Sequence, residues 1–254
     1  MSGGERQNSD NLYRERKAMS TPEKSGTLAA FEQARTAHLE KMKEYNAICA
    51  DITRCMKERE AAIEAGKEAE TNWRMRFRTL RGNLTDELKA EHSQRIASRE
   101  LADEFTGLID ELEIDKQFTM ISGCNTGLSY INSHRAAFNE FADATWHSAL
   151  RNISPSLLWA IRLRLQREKV NPRDDDTRSD MQVVAELIGD ALTRAAAALP
   201  EKALTEAPVL ENIGLWRPAL TGVDMKLYQS PAARQRLAVT LKEKRERLKE
   251  GNAK

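Results

Sequence analysis

A heptad pattern of apolar residues over residues 28–84 constrains the fold of this chain more than any other feature. One heptad position holds Leu28, Met42, Cys49, Met56, Ile63, Phe77 and Leu84, and a second holds Phe31, Tyr45, Ile52, Trp73 and Leu80. This spacing is typical of a long helix, or of two helices in succession, that packs along one seam. It is interrupted at Arg35, Arg59, Gly66 and Glu70. About 55 helical residues would extend roughly 80 Å. No small core covers such a length, so a partner helix is needed from the same chain or from another subunit.

The break after this pattern predicts an antiparallel hairpin. Gly82 and Asn83 favour the left-handed conformation that follows many helix ends, and Thr85 can cap a second helix that runs to about Glu113. A short link between two long helices makes them antiparallel neighbours. We expect the seam of this hairpin, or of a coiled coil with another subunit, to contain Met42, Tyr45, Ile52, Phe77, Leu101, Phe105 and Leu108.

The rest of the chain also shows helical patterns and no convincing strand. Two glycines predict a turn at residues 123–127, after which a further helix begins. Ser–Pro pairs at 154–155 and 230–231 are typical of an N-cap followed by a first-turn proline, and Asp180 can cap a helix that ends near Pro200. We therefore predict an all-α fold in the form of an elongated long-helix hairpin or coiled coil.

Shifts in composition divide the chain into four segments. Residues 1–26 are polar, mixed in charge and without a period, so we expect a mobile tail. Residues 27–115 form the predicted hairpin, and residues 116–206 form a helical body. Residues 207–254 combine an ordered loop, which contains Pro, Gly, Trp and Tyr, with a basic C-terminal helix.

The charge balance excludes several classes of protein. Lys and Arg number 40 and Asp and Glu 39, and the resulting net charge of +1 disfavours a strongly basic nucleic-acid module. No apolar stretch approaches the roughly 18 residues that span a bilayer. Arg74, Arg78, Arg81 and the basic C-terminal helix could contact phosphate or an acidic partner, but a solvated basic face is the simpler interpretation. We expect no membrane association and no direct nucleic-acid binding.

The sequence contains none of the common catalytic or metal-binding motifs. Its histidines, His38, His92, His134 and His147, do not form a zinc-binding HExxH pair, and no P-loop, GxGxxG or GxSxG is present. Three cysteines without a CxxC pair suit a reducing compartment. We therefore expect a chain that is not an enzyme and has no catalytic residue, metal, cofactor or small-molecule substrate.

One segment of the chain resembles a known family. The run Asn212-Ile213-Gly214-Leu215-Trp216-Arg217-Pro218, then Val223-Asp224, then Tyr228-Gln229-Ser230-Pro231-Ala232, resembles the phage polarity suppression (Psu) family of satellite phages. The hairpin between Leu80 and Leu112 is similar to that family's two long helices and their glycine-containing turn. The resemblance extends loosely over residues 80–254.

Resemblance to this family implies an all-α, intertwined homodimer that inhibits the transcription terminator Rho by binding its hexamer, which is an antitermination activity. It also implies a second role as a capsid decoration protein, so the host bacterial cytoplasm and the virion surface are the implied locations. The partner-binding residues that it implies are Trp216, Arg217, Pro218, Lys226, Tyr228 and Arg234.

A purely structural role is the alternative hypothesis. The N-terminal helical region is longer than in the family, and an extension of this kind can bridge coat subunits. Under this hypothesis the chain is a capsid decoration or external scaffolding protein of a satellite particle and has no effect on transcription.

Overall fold

Seven α-helices account for almost all of the part of the chain that the computed structural model describes, which is residues 26–170, 179–200, 204 and 207–252. They are α1 (Gly26–Thr79), α2 (Asp86–Arg151), α3 (Pro155–Val170), α4 (Asp180–Ala197), α5 (Pro208–Ile213), α6 (Met225–Gln229) and α7 (Pro231–Asn252). These described ranges contain no strand, and the predicted all-α fold is confirmed. Residues 1–25 of the predicted tail lie outside the described residues, and Gly26 already belongs to α1.

The link between α1 and α2 is the tight turn that the sequence predicts. Arg81 and Gly82 have positive φ angles of 50° and 83°. The Gly82 N–H donates to the carbonyl of Phe77 at 3.0 Å, which satisfies one acceptor at the end of α1. The Leu88 N–H donates to Thr85 Oγ1 at 3.3 Å, so Thr85 caps α2 as expected.

The contacts divide the described residues into two compact units. Unit one contains those up to Glu32 and those of Ile131–Ala219, and unit two contains those of Gln33–Tyr130 and Leu220–Lys254. Both α1 and α2 contribute residues to each unit. This division differs from the four segments that composition suggests, because long helices carry the chain from one unit into the other.

In unit two, α1 and α2 run antiparallel. Arg76 Nη1 and Glu91 Oε1 form an ion pair at 3.0 Å near the turn. Farther along the helices, His38 Nδ1 lies 3.2 Å from Thr126 Oγ1. Residue numbers therefore fall along one helix while they rise along the other, and the predicted hairpin is confirmed.

The turn predicted around two glycines of α2 is wrong, because the helix continues through them. A Cβ atom added to Gly123 would lie 3.1 Å from the sulfur of Met42. One added to Gly127 would lie 3.3 Å from Leu220 Cδ1 and 3.4 Å from His38 Cε1. At both glycines a Cβ atom would fit only if the neighbouring side chain moved by a few tenths of an ångström, so close packing accounts for glycine here without a turn.

A buried cluster fixes the C-terminal segment to the hairpin within unit two. It consists of Met42, Met120, Cys124, Val223 and Tyr228, with the partly buried Tyr45, Leu128, Leu220 and Leu227 packed around it. The Asp224 N–H lies 3.3 Å from Met120 Sδ, and Cys124 Sγ lies 3.8 Å from the Asp224 carbonyl oxygen. Burial raises the pKa of the Cys124 thiol, so this side chain acts as a neutral packing group.

The seam between the two helices runs one residue later along α2 than the sequence predicts. Ala102 and Ile109 are buried and Phe105 is half-buried, whereas Leu101 and Leu108 are 51% and 42% exposed. Of the seam residues predicted on α1, Met42 and Ile52 are buried and Tyr45 is half-buried, but Phe77 is 37% exposed near the helix end. The small side chain of Ala102 gives only a weak hydrophobic signal, so the larger leucines beside it fit the pattern better. Leu101 and Leu108 lie outside the seam of this single chain.

Unit one packs the start of α1 against the second half of α2. Phe31 is 1% exposed, and the centroid of its ring lies 5.9 Å from that of His134. The His134 ring also lies 6.2 Å from that of Phe138. Asn212 Nδ2 donates to Glu32 Oε1 at 2.9 Å, which ties the end of α5 to α1, and α3 packs on α4.

Serine caps begin the shorter helices. The hydroxyl groups of Ser154 and Ser230 each accept a backbone N–H at 3.2 Å, which confirms the two predicted Ser–Pro starts. Ser179 caps α4, whereas the sequence predicts Asp180 in that position. The reason is that Ser179 has an extended backbone and its hydroxyl accepts the N–H of Gln182 at 3.3 Å, while Asp180 is already helical.

Candidate partner-binding surface

The chain from the end of α4 into the first turns of α7 carries the residues that the sequence assigns to partner binding. Two short helices, α5 and α6, lie within the predicted ordered loop, and Gly214 and Gly222, each with a φ of 80°, lie between them. Asp224 caps α6 by accepting the Lys226 N–H at 2.8 Å. The structure assigns Trp216, Arg217 and Pro218 to unit one, and Lys226, Tyr228 and Arg234 to unit two.

Tyr228 and Arg234 occupy structural positions in unit two. Each is only 8% exposed. Arg234 Nη1 donates to the carbonyl oxygens of Leu227 and Tyr228, both at 2.7 Å, and so satisfies acceptors at the end of α6. The expectation that the side chains of Tyr228 and Arg234 face a partner is therefore wrong for this structure. Lys226 is exposed, so its side chain is accessible to a partner, as predicted.

Three of the four tryptophans are largely exposed, and all three belong to unit one. Trp146 is 61% exposed, Trp159 is 66% exposed and Trp216 is 78% exposed. The fourth, Trp73 of unit two, stacks on Phe77 with ring centroids 5.2 Å apart. Tryptophan is enriched at the centres of protein–protein interfaces because burial of its large apolar side chain contributes a large favourable free energy to binding. These three exposed tryptophans are therefore candidates for contact with a partner.

Large aliphatic side chains add to this exposed apolar surface on α3 and α4. They are Leu157, Leu158 and Leu163 on α3 and Met181, Leu187 and Leu192 on α4, and their exposures lie between 39% and 70%. Contiguous apolar patches on a protein surface usually serve an interaction. We call these six side chains, together with Trp146, Trp159 and Trp216, the unit-one apolar surface.

Sequence reasoning misses Trp159, although α3 carries a signal for it. The positions 157–161, 163 and 165 are all apolar, which is more than one face of a helix can bury against a single neighbour. In the structure Ile161 and Leu165 are half-buried, while Trp159 stays exposed. A helix that is apolar around most of its circumference needs a second covering partner.

Neither a metal cluster nor a membrane-spanning helix occurs in the part of the chain described. No group of three His, Cys, Asp or Glu side chains there is placed to hold a metal ion. None of the helices in that part is both long and apolar enough to cross a membrane. The three cysteines are free thiols. The unit-one apolar surface is thus the leading candidate for a binding site among the described residues.

Comparisons with known proteins relate the chain to a satellite phage. No protein-family profile matches the sequence. The chain is 28% identical over 214 residues to Glycoprotein 3 of Enterobacteria phage P4, and the match covers 82% of this chain and 86% of that protein. It is also similar to a chain in the solved structure of the satellite phage P4 procapsid including size determination (Sid) protein. That match has a TM-score of 0.77 and 26% identity over 90% of this chain and 99% of the other.

These similarities correct the family and the function that the sequence suggests. The chain is homologous to a satellite-phage protein, but membership of the polarity suppression family in particular is not shown. The predicted inhibition of Rho is wrong, because the matched structure is that of a procapsid and the likeness extends over nearly the whole chain. The residues assigned to Rho binding lose that basis, whereas the structural alternative gains support.

Proposed function

We propose that this chain is a structural protein of a satellite-phage particle, an external scaffolding or decoration protein that binds the coat-protein shell and takes part in determining its size. It has no effect on transcription and acts without catalysis or a cofactor. The observation that carries the proposal is the similarity to a chain of a procapsid that includes a size determination protein, with a TM-score of 0.77. Because the match covers 90% of this chain, it involves both units of this protein.

The unit-one apolar surface supports the proposal. Covering a tryptophan that is two-thirds exposed, such as Trp159, removes on the order of 150 Å² of apolar surface from water. At about 25 cal/mol per Å² this contributes roughly 3–4 kcal/mol before the entropic costs of association. Two or three such anchors are enough to hold a copy on a shell that offers the same contact many times.

The charge of the chain predicts how this binding responds to salt. A net charge of +1 gives little long-range attraction to a charged shell, so apolar contact has to provide most of the affinity. Salt screens attraction between exposed charges but does not weaken apolar burial. We therefore expect coat binding to change little between low and high salt.

Co-sedimentation with coat-protein shells tests this function. The wild-type chain should pellet with the shells, and Trp159→Ala and Trp216→Ala should each bind at least about tenfold more weakly. Leu39→Ala is the matched control, because Leu39 is 56% exposed but belongs to unit two. The control should pellet like the wild type.

Two results would contradict the proposal. A wild-type chain that stays in the supernatant at concentrations that saturate other shell proteins would remove the coat-binding function. Increased read-through at transcription terminators would contradict a purely structural role. The homodimer that the sequence resemblance implies stays a prediction, as do the two implied locations, the host bacterial cytoplasm and the virion surface.

A further inference from the structure

The turn between α1 and α2 forms a basic end of the hairpin in unit two. Residues 71–85 contain four arginines and no acidic residue. Arg74 and Arg76 are paired with glutamates of the hairpin at 2.5 Å and 3.0 Å. The guanidinium groups of Arg78 and Arg81 have no ion-pair partner within the described ranges. Two positive charges therefore remain available at this end.

Exposed apolar side chains surround these two arginines. Met75 is 60% exposed, Leu84 is 59% exposed and Leu80 is 38% exposed. The hydrogen bond from the Gly82 N–H to the Phe77 carbonyl orders the backbone of the turn that carries them. A surface that is already ordered loses little entropy on binding. We define the tip patch as Met75, Arg78, Leu80, Arg81 and Leu84.

The opposite charge lies farther along α2. The stretch 100–115 contains seven acidic residues and no basic residue. We define the flank patch as Glu100, Leu101, Asp103, Glu104 and Leu108. Its three carboxylates have no ion-pair partner among the residues described, and its two leucines are 51% and 42% exposed. The flank patch thus combines unpaired negative charge with exposed apolar area. The tip patch combines unpaired positive charge with exposed apolar area.

The helix α7 neutralises the other end of this acidic stretch. Arg245 pairs with Asp115, and its guanidinium lies 4.8 Å from the centre of the Phe118 ring. Lys244 and Arg247 line a groove between α2 and α7 together with acidic side chains of the stretch. The chain therefore covers its acidic residues near Asp115 by itself and leaves the flank patch open.

The two patches cannot meet within one chain. Leu101 lies fifteen residues after Asp86, the first residue of α2. At about 1.5 Å per residue this is roughly 22 Å along a rigid helix from the end that carries the tip patch. An arginine side chain does not span that distance, so only a second copy can bring the patches together.

We propose that the tip patch of one copy docks on the flank patch of another copy of this chain. Arg78 and Arg81 face the carboxylates of Glu100, Asp103 and Glu104, and the exposed leucines and Met75 cover one another between them. Charge complementarity selects this partner, because each patch leaves unpaired charges of the sign that the other lacks. The net charge of +1 allows copies to approach one another without general repulsion.

Such a contact joins two different surfaces. Two copies that lie side by side in opposite directions make it twice and form a two-fold symmetric dimer. Any other arrangement leaves one tip patch and one flank patch free, so the contact repeats and gives rings or extended chains. This inference does not rest on coat binding, since both patches belong to unit two and the apolar surface used for that proposal belongs to unit one. It also predicts strong dependence on salt, in contrast to coat binding.

A charge-reversal experiment on the full chain tests the contact. Sedimentation velocity would be measured for the wild type, for Arg78→Glu with Arg81→Glu, and for Asp103→Lys with Glu104→Lys. The matched control is Lys43→Glu with Lys57→Glu, two exposed lysines of unit two whose reversal changes the net charge as much as the tip variant does. We expect each patch variant to associate about tenfold or more weakly, and the control to associate like the wild type.

Mixing the two patch variants supplies the decisive readout. The acidic tip of one variant then fits the basic flank of the other, so an equimolar mixture should recover association, which also shows that both variants are folded. Wild-type association should weaken as salt rises from about 0.05 M to 0.5 M. A wild-type chain that remains monomeric, or a mixture that does not recover, overturns the proposal. Loss of coat binding in the tip variant while the wild type is monomeric also overturns it and assigns the tip to the shell.

Discussion

Replacing Gly127 by alanine should destabilise unit two, whereas the same replacement at Gly107 in the same helix should stabilise it. Alanine is favoured over glycine in a helix interior by about 1 kcal/mol, and this gain applies at both positions. At Gly107 nothing lies within 4 Å of the added Cβ atom, so we expect the full gain there.

At Gly127 the added methyl group meets three atoms. It would lie 3.3 Å from Leu220 Cδ1 and 3.4 Å from both Leu220 Cδ2 and His38 Cε1, which is closer than the optimal carbon contact of about 3.5–4.0 Å. The His38 ring is 3% exposed and contacts Thr126, so it has little room to move. Overpacking on this scale costs about 1–3 kcal/mol. After the helical gain is subtracted, the net loss is about 1 kcal/mol, and the two variants should differ by about 2 kcal/mol.

Urea unfolding followed by circular dichroism at the helical band measures these free energies of unfolding. The wild type and both variants should unfold with the same dependence on urea concentration, so that the midpoints report stability alone. A Gly127→Ala protein as stable as the Gly107→Ala protein would refute the argument that Gly127 is required for close approach.

Three further predictions concern single side chains. Burial lowers the pKa of His38 below its ordinary value of 6.5, with a smaller opposing effect from a hydrogen bond to the Gly123 backbone. The unfolded chain therefore binds the proton more readily than the folded chain, and the free energy of unfolding should fall as pH drops from about 7.5 through 6.5. The fall should be smaller in the His38→Gln variant, and urea titrations at several pH values measure it. Arg234→Gln should cost about 1–3 kcal/mol because it removes a charged donor from two carbonyl groups, and thermal unfolding with unchanged helix content checks this. Leu101→Ala should cost less than about 1 kcal/mol in urea unfolding, since this side chain is 51% exposed; a loss of about 2–5 kcal/mol would mean that it is buried in the protein in solution.

The two long helices and their turn could be predicted from the sequence because the signals are local. The heptad spacing of α1 identifies the face of the helix that is buried, and it does so whichever element packs against that face. Gly82 and Thr85 act on the backbone atoms of their own turn, through a positive φ angle and a hydroxyl that accepts an N–H. Signals of this kind need no knowledge of the rest of the fold.

The failure at Gly123 and Gly127 has the opposite origin. A glycine in a polar stretch is equally compatible with a turn and with a helix that a neighbour approaches closely. Only the positions of Met42, Leu220 and His38 decide between the two, and these residues lie far away in the sequence. The misplaced seam at Leu101 has the same cause, because burial of the small Ala102 depends on the partner helix.

The candidate binding surface was predicted only in part. Trp216 is exposed, as a residue that faces a partner must be, but the nearby Tyr228 is part of a core that the sequence pattern does not reveal. The exposure of Trp159 was not predicted, because an apolar helix is more often interpreted as buried in the core than as part of an exposed binding surface. The resemblance in the segment around Trp216 led to a satellite phage but to the wrong function, since a short run in one loop says little about what the whole chain binds.

Electron microscopy of shells assembled from the coat protein, with and without the chain, tests whether this chain is a structural protein of the particle. We predict that shells formed with the chain carry it on their surface and have a different and narrower distribution of diameters than shells formed without it. If the shells do not carry the chain and have the same diameters in both preparations, the chain is not a structural protein of the particle.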